Sequence, residues 1–296
     1  MTPTSLRIIF LLSVALVSVS TSSIFVRMLP SIPAVVIAFW RMGTAGLMLW
    51  GTSAIKPQGS LPGGTRLKLV FAGIFLGFHF ACFFGAVKLT SIANATLLGT
   101  TAPFFTAIIE TLFLKRPVHK KLVLGLGLAF IGGFIVYGNH FNITESSALG
   151  NYLALIGSLW LAVVWILAES IRQTTKTLVF SRAVYLIAAG TLFIISIVMN
   201  TSVIAFTPKD FIWFLALGLI PTIFGHTLFS YIVKYVSPTV VASVPLGEPV
   251  IASLLAWGLF SEIVPLQTLV GGLFTLCGLY MITVRSSLGR FQHDNL

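Results

Sequence analysis

Charge is the scarcest property of this sequence. Only 8% of its 296 residues are charged and 57% are hydrophobic, against about 25% charged in an average soluble domain, which excludes an ordinary water-soluble globule. Acids are rarest, with seven Asp and Glu in all. The only aspartates, Asp210 and Asp294, fall at a segment boundary and in the tail, so no aspartyl dyad can form at membrane depth. The sequence also lacks HExxH, a nucleophile elbow and a Walker GxxxxGK[ST] loop. An intramembrane enzyme therefore has no motif behind it, and any pumping must draw on a gradient or on exchange rather than ATP. The two cysteines, Cys82 and Cys277, sit inside apolar runs without CxxC or Cys/His spacing, which indicates neither a disulfide framework nor a metal site. No cofactor is expected.

Long apolar runs are abundant instead. A spanning helix needs about 20 apolar residues, and ten such segments can be read, near 6–26, 32–52, 68–87, 92–114, 121–139, 150–170, 178–199, 210–233, 238–260 and 265–284. Turn-forming clusters such as Lys56-Pro57-Gln58-Gly59-Ser60, Asn139-His140-Phe141-Asn142 and Thr207-Pro208-Lys209-Asp210 separate them. The first segment is long for a signal peptide and nine more follow, so it is read as a span. Its Ser13, Ser18, Ser20, Thr21 and Ser22 predict a stripe facing other helices or a cavity. With the N-terminus placed inside, fourteen of the 18 Lys and Arg fall in cytoplasmic loops and tails, leaving Arg27, Lys88 and Lys209 outside and Arg41 within span two. This asymmetry predicts both termini on the cytoplasmic side. It also explains the net charge of +11 without a nucleic-acid partner.

Residues 91–116, SIANATLLGTTAPFFTAIIETLFLKR, align without gaps on residues 237–262, SPTVVASVPLGEPVIASLLAWGLFSE, at an offset of 146. Lys88 then falls on Lys234, Pro103 on Pro249, Gly125 on Gly271 and Gly132 on Gly278. Residues 1–142 and 143–296 thus read as two repeats of five spans. Five is odd, so the second repeat enters from the opposite face and the halves are inverted, as in secondary transporters that open a shared site to each side in turn.

The AFWRMGTAGLML stretch in span two, the span-four stretch above and SVPLGEPVIASLLAWGLFSE with its VGGLFTLCGLYMI continuation resemble the paired EamA-type repeats of the drug/metabolite transporter superfamily. The resemblance implies a ten-helix inner-membrane carrier with a central cavity built mainly from the first four helices of each half. It also implies small-metabolite substrates such as amino acids, with export the expected direction. One departure stands out: the acidic residue usual at the close of the fourth span is Arg116 here, while Glu262 keeps that place in the second half.

Polar groups at membrane depth are the candidate site. Glu248 lies mid-span between Gly247 and Pro249; a charge there costs about 2.5 to 3.5 kcal/mol on insertion scales, so it should face protein or water. It could contact substrate, bind and release a proton, or satisfy neighbouring donors. Pro245 and Pro249 predict freed carbonyls beside it. His79 and His226, one residue apart in the repeat alignment, are proton-relay candidates or satisfied interior histidines. Arg41 could hold an anionic substrate or an interhelical ion pair. Asn94 and Thr100 are cavity candidates by polarity, although threonine can bond its own helix. Trp40, Phe83, Trp160 and Trp165 could line a cavity, form interfacial belts or pack. Glu110 is expected to pair with Lys115 or Arg116, or to snorkel. Glycines 125, 127, 132, 133, 271, 272 and 278 suggest close helix seams, and a homodimer through them is one use for such a seam. Two other functions fit the same spans: a flippase for lipids or lipid-linked sugars, and the enzyme set aside above.

Overall fold

The computed structural model describes residues 5–55, 59, 61–117, 119–137, 145–261 and 263–293. The described residues form helices α1 (Ser5–Arg27), α2 (Ala34–Ile55), α3 (Arg66–Leu89), α4 (Ile92–Gly99), α5 (Ala102–Leu112), α6 (Lys120–Tyr137), α7 (Glu145–Arg172), α8 (Thr177–Val198), α9 (Pro208–Leu217), α10 (Thr227–Ile232), α11 (Pro238–Ser243), α12 (Glu248–Phe260) and α13 (Leu266–His293), with no strand among them. Nine helical stretches among the described residues are long and apolar enough to cross a membrane, three of them assembled from α4–α5, α9–α10 and α11–α12. The segment read as the fifth span is α6, a helix of 18 residues. Glu262 and the Asn139–Asn142 turn lie outside the described residues.

The outer faces carry large apolar side chains, among them Phe10, Trp50, Leu124, Ile194, Trp257 and Leu273, and the interior holds Arg41, His79, Asn94, Glu110 and Glu169. That distribution suits a hydrocarbon surround, where polar groups must find partners inside the protein.

Local chemistry sets the breaks. Ser91 caps α4 by accepting from Asn94 N (3.0 Å) and Ser237 caps α11 by accepting from Val240 N (3.4 Å). Helices α5 and α12 each carry proline at their second residue, Pro103 and Pro249, where a missing N–H is harmless. Lys115 (φ 55) and Ser261 (φ 56), just beyond the same two helices, are left-handed. Each of these features recurs at an interval of 146 residues. Pro103 cannot donate to Gly99 O one turn back, and Ser158 of α7 donates to that carbonyl instead (2.5 Å). The carbonyls expected to stay open beside Glu248 are closed. A tight turn over Val244–Gly247 supplies Val244 N to Val241 O and Glu248 N to Pro245 O.

The second composite span, α9–α10, is widened at Gly218–His226, a π-type turn containing Pro221. Pro221 has no N–H for Leu217 O, and Thr222 Oγ1 donates to it instead (2.8 Å). Thr227 Oγ1 repeats the five-residue pattern by donating to Thr222 O (3.3 Å). π-type turns of this kind are frequent at functional sites.

Helix α3 packs along α7 and α8, α2 along α8 and the widened turn, α1 along the widened turn and α12, α5 along α11, and α6 along α13. The last pair meets backbone to backbone. A side chain at Gly132 would strike Gly271 O and Thr275, and one at Gly125 would reach Gly278 O at 2.9 Å. The early glycine of α6 thus meets the late glycine of α13, and the two helices run antiparallel. Thr275 Oγ1 also donates to Ala129 O (3.3 Å) across this seam. The glycine seam is therefore intramolecular, and a second copy would have to use another face.

Candidate functional site

Three side chains named from the sequence, Arg41, His79 and His226, come together around Phe80, which was not among them. Arg41 is buried and stacks its guanidinium 4.9 Å from the Phe80 ring centroid. It donates from Nε to Thr222 Oγ1 (3.0 Å) and from Nη1 to Ser22 Oγ (2.9 Å). The ring of His79 lies 4.8 Å and that of His226 6.0 Å from Phe80. His79 Nδ1 is 2.8 Å from Gly157 O; a carbonyl only accepts, so the proton sits on Nδ1 and Nε2 is left as the acceptor. His226 is half-buried and stacks 6.3 Å from Trp165, itself buried with no acceptor for its Nε1–H. Glu248 is half-buried at the first residue of α12, where the helix N-terminus favours negative charge. The Arg41 charge reaches Glu248 and both histidines electrostatically, yet no ion pair joins it to Glu248. The result is an aromatic-walled cluster with one cation, one carboxyl and two imidazoles, in which the acid and several guanidinium N–H groups retain bonding capacity.

The widened turn is what places Arg41. Thr222 Oγ1 accepts from Arg41 while donating to Leu217 O, and Tyr185 OH closes the other side through Thr222 O (3.4 Å) and Thr227 Oγ1 (3.0 Å).

The remaining sequence candidates lie elsewhere. Trp40 donates to Val203 O (2.7 Å) and stacks on Phe214 among Phe39, Phe206 and Phe211, an anchor at the end of the bundle away from Arg116. Trp160 stacks on Phe75 (4.8 Å) beside exposed Phe78, on the outer side of the α3–α7 contact. Asn94 is buried and donates to Asn151 Oδ1 (2.9 Å), which also accepts from Thr90 (2.8 Å), tying α4 to α7. Thr100 donates to Leu97 O on its own helix (3.0 Å). Phe83 stands next to His79 (6.1 Å) at the edge of the cluster. In α1, Ser18, Ser20 and Thr21 bond their own helix, Ser13 is exposed, and Ser22 alone reaches the cluster.

A second polar constellation locks the end of the bundle that carries Arg116. Arg116 Nη1 donates to Glu110 Oε1 (3.0 Å) and to Glu169 Oε2 (2.7 Å). Burial opposes the Arg116 charge, but the Glu169 and Glu110 carboxylates outweigh it and raise its pKa above the ordinary arginine value. Glu110 Oε2 also accepts from Thr239 N (3.2 Å) and Thr239 Oγ1, capping α11 from α5.

The sequence profile of the EamA-like transporter family matches residues 6–138 and again 148–284. The chain belongs to the EamA-like transporter family. It is a multi-pass membrane protein. It is 25% identical over 249 residues to the pseudopaline exporter CntI of Pseudomonas aeruginosa, covering 82% of this chain and 83% of that one. Two uncharacterized transporters of Archaeoglobus fulgidus are 27% identical over 198 residues and 25% over 263, covering 67% and 84% of this chain and 69% and 87% of theirs. A solved crystal structure superposes with a TM-score of 0.81 at 14% identity, covering 94% of this chain and 96% of that one, and shares the fold.

In this EamA-like chain Phe80, Tyr185 and Thr222 were not legible as site residues, whereas Ser22 belonged to the α1 stripe read as facing helices or a cavity. Phe80 is one of 25 phenylalanines. For Thr222 a signal existed, since a threonine directly after an intraspan proline can bond the carbonyl that the proline leaves open.

Proposed function

We propose that this chain is a secondary carrier that moves a small organic metabolite across the cytoplasmic membrane by alternating access, with net export. Its working parts are two inverted halves of five spans, residues 1–142 and 143–296, with both termini in the cytoplasm. The observation that carries this reading is the internal symmetry of the packing. Exchanging each span for its counterpart turns the α3–α7 contact into that of α1 with the widened turn. It likewise turns α5–α7 into α12–α1 and α2 with the widened turn into α8–α3, and returns α6–α13 to itself. The antiparallel glycine seam between α6 and α13, which occupy equivalent places in the two repeats, supports the inversion. Two like halves related this way can trade conformations about a shared centre.

The Arg41, His79, His226 and Glu248 cluster is the substrate site in this proposal. A buried cation and a half-buried carboxyl without a protein partner suit a solute carrying both charges, an amino acid being the smallest example, with Phe80 and Trp165 against its apolar part. Glu248 and the two imidazoles offer proton-accepting positions for coupling to a proton gradient, and exchange is the other energy source. The lock of Glu110, Arg116 and Glu169 closes the end that becomes cytoplasmic in this orientation, so the conformation described is shut towards the cytoplasm. The relative named as an exporter supports the direction.

Reconstituted chain in liposomes, challenged with amino acids and other small zwitterions under a pH gradient and in counterflow, is the test. Uptake above protein-free vesicles is the expected result. Failure of every solute in both modes would overturn the carrier reading.

A further inference from the structure

We propose a phosphate-binding site at the Arg116 end of the bundle, separate from the central cluster, between the α7–α8 turn and the end of α10. A cavity of about 320 Å³ is lined there by Arg172, Thr175, Lys176, Thr177, Lys234 and Tyr235, with no acidic residue in its wall.

Arg172 is the anchor. Its Nε donates to Ser230 O (2.8 Å) and its Nη2 to Thr177 Oγ1 (2.6 Å), so the fork is fixed in place with further N–H groups in hand. The one acid a turn away, Glu169, is already committed to Arg116. Lys176, exposed, and Lys234, half-buried, form no ion pair. Three cations thus face one cavity with no countercharge. The 22-residue helix α8 begins at the same place, and no side chain caps its N-terminus, which leaves backbone N–H groups for an anion. Independently of the charges, Thr175 is only 4% exposed and its Oγ1 has no hydrogen-bond partner although it lines the cavity. A buried hydroxyl is normally paired, and an oxyanion in this cavity would pair it.

The chemistry is that of a phosphate group, which meets several N–H donors and a hydroxyl at once. It can come from the headgroup of an anionic lipid at the membrane surface or from a phosphate in solution. The purified full chain in neutral detergent, titrated with phosphatidylglycerol, phosphatidylcholine and inorganic phosphate while its unfolding midpoint is followed, separates the sources, because a ligand of the native state raises that midpoint. An upward shift with phosphatidylglycerol alone supports the lipid source, and a shift with inorganic phosphate supports the soluble one. In either case Lys176→Gln and Lys234→Gln should each weaken the anion about fivefold. Thr175→Val should weaken it while leaving the ligand-free midpoint unchanged or raised. A Lys88→Gln/Lys209→Gln pair at the far end removes twice the charge of either single variant and should still leave the affinity as it was. Equal responses to phosphatidylcholine and phosphatidylglycerol with no response to phosphate, or equal loss in the far-end pair, would overturn the site.

Discussion

Arg41 shows how one side chain can serve architecture and, in the proposed site, recognition. Its Nε and Nη1 bond Thr222 and Ser22 and its plane lies over Phe80, an arrangement a lysine ammonium cannot copy. Arg41→Lys is therefore expected to abolish transport while the variant still folds, since the charge is kept and only the fork is lost; recovery of wild-type uptake would show that charge alone suffices. Glu248 is the complementary case, a carboxyl with no protein partner at a helix start. Glu248→Gln should reduce uptake or binding by about tenfold or more, the scale of a lost charge-assisted hydrogen bond, without lowering the unfolding midpoint. A merely structural carboxyl would give the reverse pattern, with stability reduced and binding unchanged.

Among the elements, the α6–α13 pair depends on the absence of side chains. Its glycines bring backbone against backbone, and any larger residue must push the helices apart. Gly132→Val should destabilise the chain by about 1 to 3 kcal/mol or more, the usual range for overpacking, seen as a lower midpoint in denaturation. Half-buried Gly127, with open space where a side chain would stand, is the control: Gly127→Val on the same helix should be nearly silent. The lock at the Arg116 end rests on charge. Removing Arg116 leaves Glu110 and Glu169, each 5% exposed, without their shared cation. Breaking a fully buried pair costs about 3 to 5 kcal/mol, and the partial exposure of Arg116 lowers that towards about 1 to 3 kcal/mol. Arg116→Ala should accordingly lower the midpoint and, if the lock closes one side, increase exchange relative to net transport in vesicles.

For the whole molecule the decisive quantity is the direction of each half. In a Cys82→Ser/Cys277→Ser background, a cysteine at Ser202 should react with an impermeant maleimide in intact cells. One at Gln173 should react only after permeabilisation. The opposite labelling would invert the topology proposed above. Much of this scale was legible in the sequence, because the hydrocarbon thickness demands long apolar runs and the glycines and prolines that punctuate them leave a readable interval. The spacing located Glu248, His79 and His226 for the same reason: polar groups at membrane depth are conspicuous wherever they fall. Asn94 and Thr100 looked alike on that criterion and Trp40 and Trp160 stood out as aromatics, and the neighbours of all four place them in packing or capping roles. Only the assembled bundle could say which polar groups meet. Phe80 became the hub because α3 lies against partners from both halves, and Glu110 capped α11 across 129 residues of chain. Composition and periodicity therefore determined the membrane class and the five-plus-five pattern of apolar runs. The convergence of Arg41, the histidines and Glu248, and the lock at Arg116, were decided by tertiary contacts, since hydrogen bonds and ring stacking depend on distances in space that a linear pattern does not contain.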